Sequence, residues 1–152
     1  MIADVKLMKG ALISLSVSPL SILLTFWGDY NGKVLNVIIA YLVGVLFWAG
    51  LISGCAMLFV VNKHRKADKS FRSKKKLPGV ISFFSNQHAM LADVFMAISF
   101  VLLLVFLFVP WFNQGVTVVL IAVFLFAFNM HCVLNGMNFK YIQYMKKKES
   151  RT

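Results

Sequence analysis

The chain has 152 residues, of which 60% are hydrophobic and only 14% are charged. Its net charge is nevertheless +11, from 16 Lys and Arg against 5 Asp and Glu. A soluble basic domain would carry about a quarter charged residues, and a disordered basic tail would be far less hydrophobic. The composition excludes both and indicates a small integral membrane protein.

Four stretches of the chain are apolar enough to cross a membrane, since a helical crossing takes about 20 mostly apolar residues. The longest uncharged run, 46 residues from Val94 to Phe139, is too long for one crossing at about 1.5 Å per residue. Pro110 and Gly115 enclose a polar turn in that run, so the chain is expected to fold back there. The four predicted spans are residues 10–27, 34–61, 89–109 and 116–139.

Fifteen of the sixteen basic residues fall on one side of these spans, and only Lys33 falls on the other. Two lie in the N-terminal segment, eight in the connection at 62–88 and five in the tail at 140–152. Because positive charge marks the cytoplasmic side, both termini and the long connection are predicted to be cytoplasmic. The predicted fold class is an all-α polytopic membrane protein, a single domain over residues 1–152 with four transmembrane helices in two hairpins.

The connection at 62–88 is strongly basic, with Asp68 as its only acidic residue. Charges near the surface bind anionic headgroups at about 1 kcal/mol each, so this loop is predicted to anchor in anionic lipid and to set the topology. A surface for an acidic protein is the alternative, whereas nucleic acid is not expected because only Phe71 interleaves with the basic run. The apolar residues 78–84 are predicted to lie in the membrane interface. The predicted anchor residues are Lys63, Arg65, Lys66, Lys69, Arg72, Lys74, Lys75 and Lys76.

One acidic residue, Asp93, falls within a span, where charge is costly enough to indicate a function. Either it lies at the headgroup level near the N-terminus of its own helix, or it is buried against the fourth span. In that span His131 and Asn135 share one helical face. Asn135 and Asp93 each lie about four residues inside the end of their own span, which is a depth of roughly 6 Å in both helices. A polar cluster of Asp93, His131 and Asn135 is therefore predicted, either joining the two helices or sensing protons or a ligand.

Gly50 and Gly54 form a GxxxG pattern in the second span, which allows two helices to approach closely. The pattern predicts a packed helix face, either within the chain or between chains. The sequence contains no Cys and His spacing typical of a metal site and no paired carboxylates for acid–base chemistry in the spans. We therefore expect no catalytic residue, no metal and no cofactor, and we do not expect an enzyme.

The remaining expectation is a protein that works through its helical surface in the membrane. Small multi-pass chains of this build include bacterial immunity proteins against pore-forming bacteriocins and surface-exclusion proteins of conjugative plasmids, and the likeness is one of architecture alone. The sequence thus favours a protective or accessory subunit of the bacterial inner membrane that contacts another membrane protein or a second copy. The alternative is a small oligomeric transporter or channel subunit that uses Asp93.

The charge asymmetry yields a direct test of topology. Green fluorescent protein fused after residue 70 or residue 150 should fluoresce, and alkaline phosphatase at the same positions should be inactive, because both positions are predicted to be cytoplasmic. Periplasmic phosphatase activity from a fusion within residues 63–76 would contradict the predicted orientation.

Overall fold

The structure is a computed structural model that describes residues 2–25, 33–71, 78–108 and 114–150. Every regular element within these ranges is helical. Four of the helices are long and apolar enough to cross a membrane, which confirms the prediction of an all-helical multi-pass membrane protein. The elements are α1 (Ile2–Leu20), a 3-10 turn (Ser21–Leu24), α2 (Lys33–Ala67), α3 (Gln87–Phe108), α4 (Gln114–Leu134) and α5 (Met137–Glu149).

The helices extend beyond the predicted spans at their charged ends. Helix α1 begins at Ile2 rather than at residue 10, and α2 continues to Ala67 rather than ending at residue 61. An uncharged run marks only the part of a helix that lies in hydrocarbon, whereas charged residues are tolerated in the turns that reach the headgroups. The short outer connections predicted near 28–33 and 110–115 lie almost wholly outside the described residues.

The fourth predicted span, 116–139, is divided between two helices. Helix α4 ends at Leu134, and Gly136 adopts an extended conformation with ψ of 158° before α5 begins. Gly is among the weakest helix formers, and the side chain of Asn135 is turned toward α3. The segment predicted as a basic tail, 140–152, is consequently helical as far as Glu149.

The four long helices pack as an open row in the order α2, α1, α4, α3. Helix α1 contacts both α2 and α4, and α4 contacts α3 on its other side. Among the described residues, α2 and α3 share no substantial contact, so they form the two edges of the row. Only 11% of the most apolar stretch of α2 is buried, against 33% for that of α1. Helix α2 therefore presents most of its surface outward.

The contacts between α1 and α2 run antiparallel and depend on the GxxxG pattern. A Cβ atom added to Gly50 would lie 2.7 Å from the carbonyl oxygen of Ser14, and one added to Gly54 would lie 2.5 Å from Cγ of Leu15. The two glycines therefore pack α2 against α1 within the chain. Nearer the other end, the hydroxyl of Ser21 is 3.5 Å from the carbonyl oxygen of Val43.

The basic ends of all four long helices lie together. Asp4 in the first turn of α1 is 2.5 Å from His64 in the last turn of α2. The ring of His88 at the start of α3 lies 5.8 Å from that of Phe139 on α5. Helix α5 follows α4 and contacts α1, α2 and α4. The described basic residues other than Lys33 are thereby gathered at one end of the row.

The glycine contacts predict a contrast between two substitutions on α2. Gly50→Ala should lower the apparent Tm in mild detergent, because its new methyl group would overlap the backbone of α1 and force the helices apart. Gly44→Ala is the matched control, since nothing lies within 4 Å of its added Cβ and Ala favours a helix by about 1 kcal/mol over Gly. It should leave the Tm unchanged or raise it; an equal loss in both variants would contradict the packing.

Candidate functional site: a buried carboxylate at the basic end

The structure places Asp93, His131 and Asn135 in contact. Asp93 projects from the second turn of α3, His131 from the last turn of α4, and Asn135 from the residue after α4. Oδ1 of Asp93 accepts hydrogen bonds from Nδ1 of His131 at 2.5 Å and from Nδ2 of Asn135 at 2.8 Å. All three residues are fully buried. Of the two placements that the sequence left open for Asp93, the structure has the buried one.

Two backbone N–H groups complete the cluster. They belong to the segment of residues 78–86 that leads into α3, here called the strap. The N–H of Phe84 donates to Oδ2 of Asp93 at 2.5 Å, and the N–H of Ser85 donates to Oδ1 of Asn135 at 3.1 Å. Three N–H donors thus surround the carboxylate, which is how a buried negative charge is normally compensated.

Phe84 has a φ of 49°, the only positive φ of a non-glycine residue in the described chain. Bulky side chains rarely adopt this left-handed conformation, and it costs of order 1–3 kcal/mol where the surroundings impose it. Here it turns two successive N–H groups, those of Phe84 and Ser85, toward the same polar cluster. The first of these N–H groups bonds the carboxylate of Asp93 and the second bonds the amide oxygen of Asn135, so one local conformation serves both side chains.

The strap lies directly on the α4 backbone. A Cβ added to Gly79 would overlap the carbonyl oxygen of Cys132, so only glycine permits this approach. Nδ2 of Asn86 donates to the carbonyl oxygen of Leu134 at 2.8 Å, while its Oδ1 accepts from the N–H of Ala89 at 3.0 Å. Asn86 therefore caps the start of α3 and satisfies a carbonyl at the end of α4.

The strap also presents an apolar outer surface. Val80, Ile81, Phe83 and Phe84 are all exposed, between 48% and 61%. The ring of Phe83 additionally lies 4.6 Å from the imidazole of His131. Nε2 of that imidazole is buried and has no hydrogen-bond partner within the described part of the chain. The imidazole is thus enclosed, and Nδ1, which is directed at Asp93, is its hydrogen-bonded nitrogen.

A second Asp–His pair joins α1 to α2, and no local pattern of residues had indicated it. Asp4 is 6% exposed, whereas the side chain of His64 is about half exposed. The two residues are 60 positions apart and meet because α1 and α2 are antiparallel. Asn129 and Asn138 also join helices. They donate to the carbonyl oxygens of Leu15 on α1, at 3.1 Å, and of Leu58 on α2, at 3.0 Å.

The predicted anchor residues are only partly described. Lys63, Arg65 and Lys66 lie in the last turns of α2, and Lys69 follows that helix. Nη2 of Arg65 donates to Oδ1 of Asn62 at 2.6 Å. The other predicted anchors, Arg72, Lys74, Lys75 and Lys76, fall outside the described residues.

Two ionisable groups near this connection have altered pKa values. The hydroxyl and backbone N–H of Ser70 donate to Asp68 at 2.6 and 2.8 Å, which lowers the pKa of its carboxyl group. Burial raises the pKa of the Tyr141 phenol, and the nearby carboxylates of Asp68 and Asp4 add to this effect. Both shifts favour the forms present at neutral pH, a charged Asp68 and a neutral Tyr141.

No protein-family model matches the chain, and neither curated proteins nor solved structures show significant similarity to it. Among the described residues no group of three or more His, Cys, Asp or Glu side chains converges as metal ligands would. What the cluster can do follows from its own geometry. It holds one carboxylate away from solvent and joins three segments, the strap, α3 and the end of α4.

This geometry predicts that Asp93→Asn loosens the strap. The substitution replaces one acceptor oxygen by an NH2 group, which then faces the N–H donors around it. The free energy of unfolding should fall by about 1–3 kcal/mol. In detergent, the variant should show a lower Tm and faster amide hydrogen exchange within residues 78–86. Asp68→Asn is the control, because Asp68 lies outside both the cluster and the strap, and it should leave hydrogen exchange within residues 78–86 unchanged. Unchanged exchange in Asp93→Asn would show that the carboxylate does not hold the strap.

Proposed function

We propose that the chain is a non-enzymatic protein of the bacterial inner membrane that acts through helix–helix contacts with another membrane protein. In this proposal the four spans form two antiparallel hairpins with both termini in the cytoplasm. The gathering of basic residues at one end of the row supports this orientation, because positive charge is retained on the cytoplasmic side. The role that fits such a chain is protection, as immunity to a pore-forming bacteriocin or exclusion of a conjugative plasmid, or that of an accessory subunit.

The observation that carries the proposal is the position of Trp48 on the edge helix α2. Trp48 is 60% exposed and lies twelve residues after Asn36, where the second candidate span begins. At the rise of an α-helix that is about 18 Å, near the middle of a hydrocarbon core of about 30 Å. Tryptophan is enriched at the membrane–water interfaces instead, because its N–H requires an acceptor that lipid chains lack. A partner helix on this face would supply both contact and an acceptor.

The surface around Trp48 has the spacing of a helix-packing stripe. Exposed large side chains recur along α2 at alternating intervals of three and four residues from Ile38 to Ile52, with Phe59 seven residues further on. This repeat keeps the side chains on one face of the helix. Lipid chains can cover an apolar helix face as well as a partner protein can. The spacing therefore supports the proposal only in combination with the edge position of α2 and the exposure of Trp48. The stripe comprises Ile38, Tyr41, Val45, Trp48, Ile52 and Phe59.

The structure favours this role over a transporter or channel subunit. A carrier that used Asp93 would need the carboxylate to exchange partners along a path, and such sites usually lie near the bilayer midplane. Asp93 instead lies near one end of α3, fully buried and bonded to three N–H donors. Its position is that of a residue that joins structural elements.

The proposal is tested by expressing the chain alone in a bacterium that is sensitive to pore-forming bacteriocins and competent as a conjugation recipient. Survival after bacteriocin treatment should rise, or the frequency of plasmid uptake should fall, by at least tenfold. Trp48→Ala should remove the protection at an unchanged level in the membrane. Phe95→Ala is the matched control, because Phe95 is an aromatic residue on the opposite edge that is 55% exposed, and it should retain protection.

Two further measurements distinguish the outcomes. A photo-crosslinking residue at position 48 should give one discrete adduct, with a partner protein or with a second copy, and the same residue at position 95 should give none. A discrete adduct without protection in either assay would indicate an accessory subunit. Absence of both protection and an adduct at position 48 would refute the proposed contact.

A further inference from the structure

A groove opens between α1, α4 and α5 at the basic end of the helix row, separate from the Asp93 cluster. Its cavity volume is about 500 Å³. The walls are apolar side chains contributed by all three helices, and most of them belong to the buried core of the molecule or pack against it. These are Met8 and Leu12 of α1, Met130 and Leu134 of α4, and Phe139 and Ile142 of α5.

The mouth of the groove is cationic. Lys9 on α1 and Lys146 on α5 both line it, and both are exposed. His88 at the start of α3 is a third exposed lining residue, and its ring packs edge-on against Phe139. No acidic side chain lines the groove in the described part of the chain. The two acidic residues closest to this end in α1 and α3, Asp4 and Asp93, are each bonded to a histidine.

An apolar cleft with two ammonium groups at its mouth has the chemistry that an anionic phospholipid requires. Helices α1 and α4 are candidate membrane spans, so a cleft between them near their basic ends faces lipid at headgroup depth. The apolar walls suit an acyl chain, and the paired lysines suit a phosphate. A zwitterionic lipid would satisfy the walls but would bring its own cation toward the lysines.

We infer that this groove binds one anionic phospholipid, with an acyl chain against Leu12, Met130 and Leu134 and with the phosphate between Lys9 and Lys146. This site differs from the general attraction of the basic connection for anionic headgroups, because it requires the walls as well as the charges. It also does not depend on which protein contacts α2, since the groove lies on the other side of α1.

The experiment is native mass spectrometry of the full chain released from detergent micelles, with added phosphatidylglycerol or phosphatidylcholine of identical acyl chains. One phosphatidylglycerol should be retained per chain, and it should bind at least tenfold more tightly than phosphatidylcholine. Each near-surface charge is worth about fivefold in affinity, so the double variant Lys9→Gln/Lys146→Gln should weaken phosphatidylglycerol binding about 25-fold. Both side chains are exposed, and an unchanged Tm verifies the fold of the variant.

The matched control is Lys6→Gln/Lys147→Gln, which removes one exposed lysine from α1 and one from α5 at the same end but outside the groove. It should change phosphatidylglycerol binding by less than twofold. Leu12→Trp, which fills the groove, should weaken the binding of both lipids. An equal loss in the two double variants would show attraction to the basic end as a whole and overturn the site. Equal affinity for the two lipids, or displacement of the lipid by millimolar inorganic phosphate, would also overturn it.

Discussion

The buried carboxylate of Asp93 is the interaction on which the basic end of this protein depends. A charge in this setting is tolerated only when donors replace the lost water, and here three segments of the chain each provide one. The N–H of Phe84 comes from the strap, the imidazole of His131 from α4 and the amide of Asn135 from the turn that follows it. Satisfying this one charge therefore requires the strap, α3 and the end of α4 to meet at the same point.

The end of α4 links this cluster to the rest of the molecule. Helix α4 must end at Leu134 so that Asn135 can turn toward α3, and the next helix, α5, then lies across the basic ends of α1 and α2. Asp4 and His64 join those two ends in a second, more exposed pair. Polar contacts thus hold the helices together at their basic ends, while close apolar packing around Gly50 and Gly54 joins α1 to α2 within the membrane.

The side chains of the candidate site could be proposed from the sequence, whereas its backbone donors could not. Equal depth in antiparallel helices allowed a contact between Asp93, His131 and Asn135, because helical rise converts residue numbers into distance, but it left a placement of Asp93 at the headgroup level equally open. The strap was not foreseen as part of the site, since its donors are backbone N–H groups that every residue carries. Only the φ of 49° at Phe84 aims them inward, and a conformation forced on a bulky residue by its surroundings has no signature in the residue type.

The sequence by itself determined that the chain has four helical segments long and apolar enough to cross a membrane and that nearly all its basic residues flank these segments at one end, since both follow from the length of apolar runs and the position of lysines. It also marked Gly50 and Gly54 as a packing face without indicating the partner helix. Only the tertiary structure decided that the helices form an open row with α2 and α3 at its edges, and that the side chain of Trp48 is exposed on one of them. The order of the helices depends on which of their surfaces are complementary in shape. The spacing of apolar residues along one helix does not determine this, because the same spacing is compatible with several neighbouring helices.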